Sequence, residues 1–205
     1  MNAPVSTEPI FCFEHCQKGR KIYALQIPGE CPLCGVLLAS SELILPPFRV
    51  PSPFSRSPHS LVIRPTIGSF LRDYKNARDL HIGITNSKGL VHDYNEKGVN
   101  FGSSSWEQCV SVPLQCRNAR RWDAELRNFS AHGDWFPQNY SESDHNCLDF
   151  VVGFLRHAEA TVRVSAPLCK EQLCAELILP RMTQAAKYVT LYRRVSAETA
   201  YVSAS

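Results

Sequence analysis

Cys31-Pro32-Leu33-Cys34-Gly35 is a Cys-x2-Cys turn. Two thiols at this spacing meet only if the backbone between them turns tightly, which is the geometry of half a tetrahedral metal site. The other half must come from upstream, where Cys12, His15 and Cys16 stand. Cys12 with Cys16 would give four thiolates. His15 with Cys16 asks two neighbours to converge, although adjacent side chains of an extended chain point apart. Both sets stay open at this level. Residues 10–38 therefore read as a zinc-ribbon-like knuckle holding a structural zinc, with Cys31, Cys34, Cys16 and either His15 or Cys12 as ligands. Four protein ligands leave no open coordination position, so the expected role is structural.

The chain of 205 residues carries nine cysteines. Met1 to Pro9 is polar and lacks the apolar stretch of a secretory signal. An odd count without such a signal fits a reducing compartment, where clustered cysteines bind metal or do chemistry. The expected location is intracellular, cytoplasmic and/or nuclear. A hydrophobic content of 44% with 20% charged residues excludes a disordered chain. No run approaches the ~18 apolar residues of a membrane span. A dispersed net charge of +3 does not suit nucleic acid. The one basic run, Lys18, Arg20 and Lys21, reads as a solvated face.

Pro46, Pro47, Pro51, Pro53 and Pro58 stand among several serines. Such density sustains neither a helix nor a central strand, so residues 39–60 read as a linker or extended arm. Residues 61–195 read as one α+β domain. His81 to Thr85 and Leu90 to Tyr94 form a hairpin around Asn86-Ser87-Lys88-Gly89. Cys109 to Val112 reads as a strand stopped by Pro113. Arg121 to Phe129 reads as a helix. Cys147, Phe150, Val151, Phe154, Leu155 and Ala158 form one apolar helical stripe. Asn146 is its N-cap, and Asp149 completes a capping box. Lys187 to Tyr192 alternates and is β-rich, so it reads as a closing strand. Trp106, Trp122 and Trp135 read as core or rim packing, and His132 and His145 as polar loop residues.

A two- or four-residue hairpin loop would set His81 opposite Tyr94 and Gly83 opposite His92. His81 and His92 would then share one sheet face as diagonal neighbours ~6–8 Å apart. Cys147 opens the helix, where free N–H groups and the dipole favour a thiolate. A helix packed on this sheet brings a thiol, an imidazole base and an orienting side chain together. The residues read equally as a packed thiol with hydrogen-bonded sheet histidines.

"HIGITNSKGLVHDY", followed later by "HNCLDFVVGFL", resembles the His…Asn-Cys-x-x-Phe pattern of permuted papain-like hydrolases, including the lecithin-retinol acyltransferase group and the PPPDE peptidases. The resemblance covers roughly residues 75–160. It implies an antiparallel sheet packed against the helix bearing Cys147, with Cys147 as nucleophile, His81 as base and His92 as orienting residue. It implies a thiol hydrolase of the peptidase, isopeptidase or acyl transferase type, acting on a protein or acyl substrate. The alternative is a non-catalytic protein-interaction module that keeps the fold. Nearly the whole chain also resembles the makorin-2 opposite-strand protein family, in "FEHC", "CPLCG", "RPTIGSFLRDY", "DLHIGITNSKGLVHDY" and "LPRMTQAAKYVTLYR". That resemblance favours a first knuckle of Phe13, Glu14, His15 and Cys16.

Overall fold

The structure is a computed structural model and describes residues 9–75, 78–159, 161 and 169–203. In chain order it contains β1 (Phe11–Glu14), β2 (Ile22–Ala24), β3 (Leu45–Arg49), β4 (Ser60–Pro65), β5 (Leu80–Thr85), β6 (Val91–Asn95), β7 (Gly98–Phe101) and β8 (Val110–Pro113). Helices α1 (Ala119–Ser130) and α2 (Cys147–His157) follow. After them come a short α3 (Lys170–Gln172), a π-helical stretch Leu173–Ile178, α4 (Leu179–Glu198) and β9 (Ala200–Val202). Among the described residues the protein is thus a mixed α and β chain with two antiparallel sheets and few helices. Among the described residues, no helix is long and apolar enough to cross a membrane.

Two compact units separate. One joins Met1–Ser52 to Lys187–Ser205, and the other is Pro53–Ala186. The first unit holds a four-stranded sheet in the order β3-β1-β2-β9. Segment 39–60, expected as a linker, therefore contributes a strand. Pro46 and Pro47 enter it because β3 lies on the sheet edge and its register with β1 shifts between Cys12 and Glu14, opposite the two prolines. Phe13, Ile22, Cys31 and Leu38 form this unit's buried cluster.

The expected closing strand at Lys187 to Tyr192 is helical and lies within α4. Ala185, Tyr188, Val189 and Val195 are its buried residues, at helical and not alternating spacing. Burial along one helix face has overridden the β-rich local composition. Pro180 follows directly on the π-helical stretch, inside a helical run that is continuous from Lys170 to Glu198.

The second unit is built on a five-stranded sheet in the order β7-β6-β5-β4-β8. Helix α2 packs on β5 and β6, and α1 packs on α2. Phe150, Val151, Phe154 and Leu155 supply the buried face of α2. Trp122 meets Phe154 edge-on at 5.0 Å, and its indole N–H donates to the Thr85 carbonyl at 3.0 Å. The predicted capping box is present. The Asn146 side chain accepts from the Leu148 N–H at 2.9 Å, and Asp149 accepts from the Asn146 N–H at 2.8 Å.

Candidate active site and metal centre

The register of the central hairpin decides which side chains can meet. Gly83 pairs with Asp93, Ile84 with His92 and Thr85 with Val91. The loop between Asn86 and Leu90 is Ser87-Lys88-Gly89, closed by the Asn86 N–H donating to the Leu90 carbonyl at 2.9 Å. Gly89 stands at φ 74°, the left-handed position that ends a three-residue hairpin loop. An odd loop reverses the expected parity. His81 and His92 therefore lie on opposite faces of the sheet, and the expected pairing of the two histidines is corrected.

His92 turns toward α1. Its Nδ1 bonds the Ser130 hydroxyl at 2.9 Å, and Phe101 meets its ring edge-on at 4.7 Å. Burial, countered in part by Asp123 and Asp93, pushes its pKa down to about 4, so it is a neutral structural imidazole. It does not join Cys147.

The same register brings Asp93 onto the His81 face. Their positions are diagonal across the two strands, the arrangement expected of His92 before the loop length was known. His81 Nε2–H donates to Asp93 Oδ2 at 2.8 Å. A carboxylate only accepts, so Nε2 carries the proton and Nδ1 is left for a second partner. Cys147 is the second group that acts on the His81 imidazole, through its side chain and its charge. Burial lowers the His81 pKa. The hydrogen bond to Asp93 and the side chain of Cys147, with the charges of both, outweigh it and raise the pKa to about 9.

Asp93 is itself held from three sides. The Trp106 indole N–H donates to its Oδ1 at 3.3 Å, and the Asn100 amide donates to its Oδ2 at 3.3 Å. Gly83 makes room for it, since a Cβ there would stand 2.7 Å from Val91 Cγ1 and 3.2 Å from Asp93 Cβ. Arg64 lies across from His81 on β4 and stacks over Trp106 at 5.0 Å. Burial lowers its pKa, while the charges of Asp93 and Cys147 raise it. Asp93, Trp106, Asn100 and Arg64 were not among the expected site residues. The signal for Asp93 lay in the loop, where a glycine three positions after Asn86 marks an odd connection.

His81 and Cys147 line one pocket of about 450 Å³, with Ile63, Leu80, Leu148 and Tyr140 in its walls. Cys147 is the first residue of α2. The first N–H groups of a helix have no acceptor within it. The Asn146 side chain takes those of Leu148 and Asp149, and Cys147's is not among those so capped. His145 lies elsewhere, stacked on Trp135 at 4.7 Å with Nε2 on the Asp134 carbonyl at 3.0 Å.

In the N-terminal unit His15, Cys16, Cys31 and Cys34 come together, their ligand atoms all within 4.8 Å of one another. Cys16 and Cys31 sulfurs stand 4.0 Å apart, and Cys34 sulfur stands 3.4 Å from His15 Nδ1. Thiolate and imidazole ligands at ~2.3 and ~2.0 Å in a tetrahedron would be about 3.5–3.8 Å apart. The cluster can therefore hold a metal ion. Cys12 is not part of it. It sits buried inside β1 opposite Tyr23, and burial raises its pKa. His15 and Cys16 converge because both lie beyond the end of β1, where the chain turns and adjacent side chains no longer alternate. Gly35, at φ 72°, closes the second knuckle by donating to the Cys31 carbonyl at 2.8 Å. The Leu33 N–H reaches Cys31 sulfur at 3.4 Å.

Comparison with known proteins gives two family matches, DUF4796 N-terminal over residues 8–38 and DUF4796 C-terminal over residues 47–195. The chain is similar to the human MKRN2 opposite strand protein, at 33% identity over 210 residues, 99% of this chain and 93% of that one. No solved structure matches.

Proposed function

The chain belongs to the DUF4796 family, and from that premise we propose that it is a cysteine hydrolase or acyl transferase on a permuted papain-like core. Cys147 is the nucleophile, His81 its base and Asp93 the residue that orients His81. One observation carries this reading: His81, bonded to the buried Asp93, lines one pocket with Cys147, whose side chain and charge act on its ring. Chain order supports it too, with the histidine on a strand preceding the cysteine at a helix start.

The chemistry follows from the residues. Cys147 passes its proton to His81 Nδ1 and attacks an ester, thioester or amide carbonyl. The Cys147 N–H, which Asn146 does not cap, faces the developing oxyanion. His81 returns the proton to the leaving group, and the acyl-thioester passes to water or to a second nucleophile. Asp93 keeps the ring in one tautomer and stabilises its charged form. In the N-terminal unit, His15, Cys16, Cys31 and Cys34 would hold a structural zinc, their three soft thiolates completed by an imidazole.

The test is alkylation of the native protein with iodoacetamide at neutral pH, followed by peptide mapping. Cys147 should react at least ~10-fold faster than the buried Cys109, as a thiolate does. His81→Ala and Asp93→Ala should each slow Cys147 and leave exposed Cys169 unchanged. Equal rates at Cys147 and Cys109 would refute the nucleophile and leave the interaction-module reading.

A further inference from the structure

Cys174 shares the Cys147 pocket, and acyl chemistry gives it no task. Of the nine cysteines, Cys147 and Cys174 are the two that line this cavity. Cys174 stands on the π-helical stretch Leu173–Ile178, and Ile178, one turn on, faces the same space. Such π segments are rare and are frequently found at functional sites. A clamp joins the two cysteine-bearing elements. Lys170, one turn before Cys174, reaches Asp149 in the first turn of α2 at 2.8 Å. Both thiols are free in the structure, and Cys174 is half-buried. Burial raises the Cys174 pKa, and the charges of Glu171 and Cys147 raise it further.

We propose that Cys174 is the resolving thiol of an oxidised Cys147, so that peroxide reversibly closes the site as a Cys147–Cys174 disulfide. This inference rests on the reading of Cys147 as a reactive thiolate. The Cys147 thiolate attacks hydrogen peroxide. An S–O bond forms, the O–O bond breaks, sulfur loses two electrons, and hydroxide leaves with a proton from His81. Cys174 then attacks the sulfenic sulfur. The S–S bond forms, the S–O bond breaks, and the oxygen departs as water with the Cys174 proton. Two thiols and one peroxide give one disulfide and two waters. Closure needs the Cα atoms within ~4.4–6.8 Å. A buried sulfenic acid beside a thiol is thereby protected from irreversible oxidation.

The test treats the full chain with a few equivalents of hydrogen peroxide, blocks remaining thiols and maps peptides without reduction. A Cys147–Cys174 linked peptide is expected, together with loss of Cys147 alkylation that dithiothreitol restores. In Cys174→Ser the linked peptide should vanish, and trapping of Cys147 sulfenic acid by dimedone should rise several-fold. Wild-type protein whose Cys147 alkylates fast, yet under peroxide gives only sulfinic acid or a Cys147–Cys169 link, would overturn the inference and leave the nucleophile standing. Slow alkylation before peroxide, with no link after it, would refute both. The wild-type map decides the matter even where the variant fails to fold.

Discussion

Asp93 is a buried carboxylate, 2% exposed, that the fold can keep only because His81, Trp106 and Asn100 all donate to it. The two histidines of the hairpin consequently behave in opposite ways. The His81 pKa is raised from 6.5 to about 9, so folding binds its proton more tightly. That contribution is complete below pH 6.5 and is lost as pH rises through about 9. The stability gap between wild type and His81→Gln, measured by urea titration, should therefore be wide at pH 6 and should close above pH 9. The His92 pKa is depressed to about 4. The unfolded chain then takes up the proton first, and stability falls as pH drops from 6.5 toward 4. The loss is at most on the order of 3 kcal/mol. His92→Gln should flatten this acid limb. An unchanged acid limb would show that His92 is not the group responsible. Substituting His92 should also leave Cys147 alkylation at neutral pH unchanged, because the ring lies on the far sheet face.

At the scale of elements, the hairpin shows what the sequence made legible and what it hid. The strands, the turn residues and the cap of α2 were readable, because alternation, Asn-x-x-Gly chemistry and Asn146 with Asp149 are local signals. The register was not, because it turned on a single residue of loop length. Reading Gly89 as a strand flank gave the His81–His92 pair, and reading it as the left-handed end of a three-residue loop gives His81–Asp93. The α4 error had a different origin. Lys187 to Tyr192 has β-rich composition, and only the burial of Tyr188, Val189 and Val195 along one face shows the helical period. Two glycines test the register. Gly89→Val would force a β-branched residue to φ 74°, which costs about 1–2 kcal/mol. Gly83→Ala would drive a methyl to 2.7 Å from Val91 and 2.9 Å from the His92 carbonyl. It should destabilise by about 1–3 kcal/mol and slow Cys147 alkylation by moving Asp93. Denaturation together with alkylation rates would check both, and a neutral Gly83→Ala would contradict the register.

At the scale of the whole molecule, the two units carry separate chemistry. The N-terminal unit has a small buried cluster around Phe13 and Ile22, so a bound ion should contribute much of its stability. His15→Ala and Cys34→Ser should each lose the metal and lower the unit's melting temperature. Cys12→Ser should keep one ion per chain by elemental analysis. Metal loss in Cys12→Ser alone would overturn the ligand set. Spacing left the choice between His15 and Cys12 open, since it depends on where β1 ends, and the family resemblance alone favoured His15. The larger unit carries the central claim, that a Cys147 thiolate and a charged His81 form a pair supported by Asp93. The most direct measurement is the NMR titration of the His81 ring in wild type and in Cys147→Ser. The account predicts a midpoint near 9 in wild type, moving down toward the ordinary 6.5 when the sulfur is replaced. A wild-type midpoint near 6.5, or one that Cys147→Ser leaves in place, would contradict it.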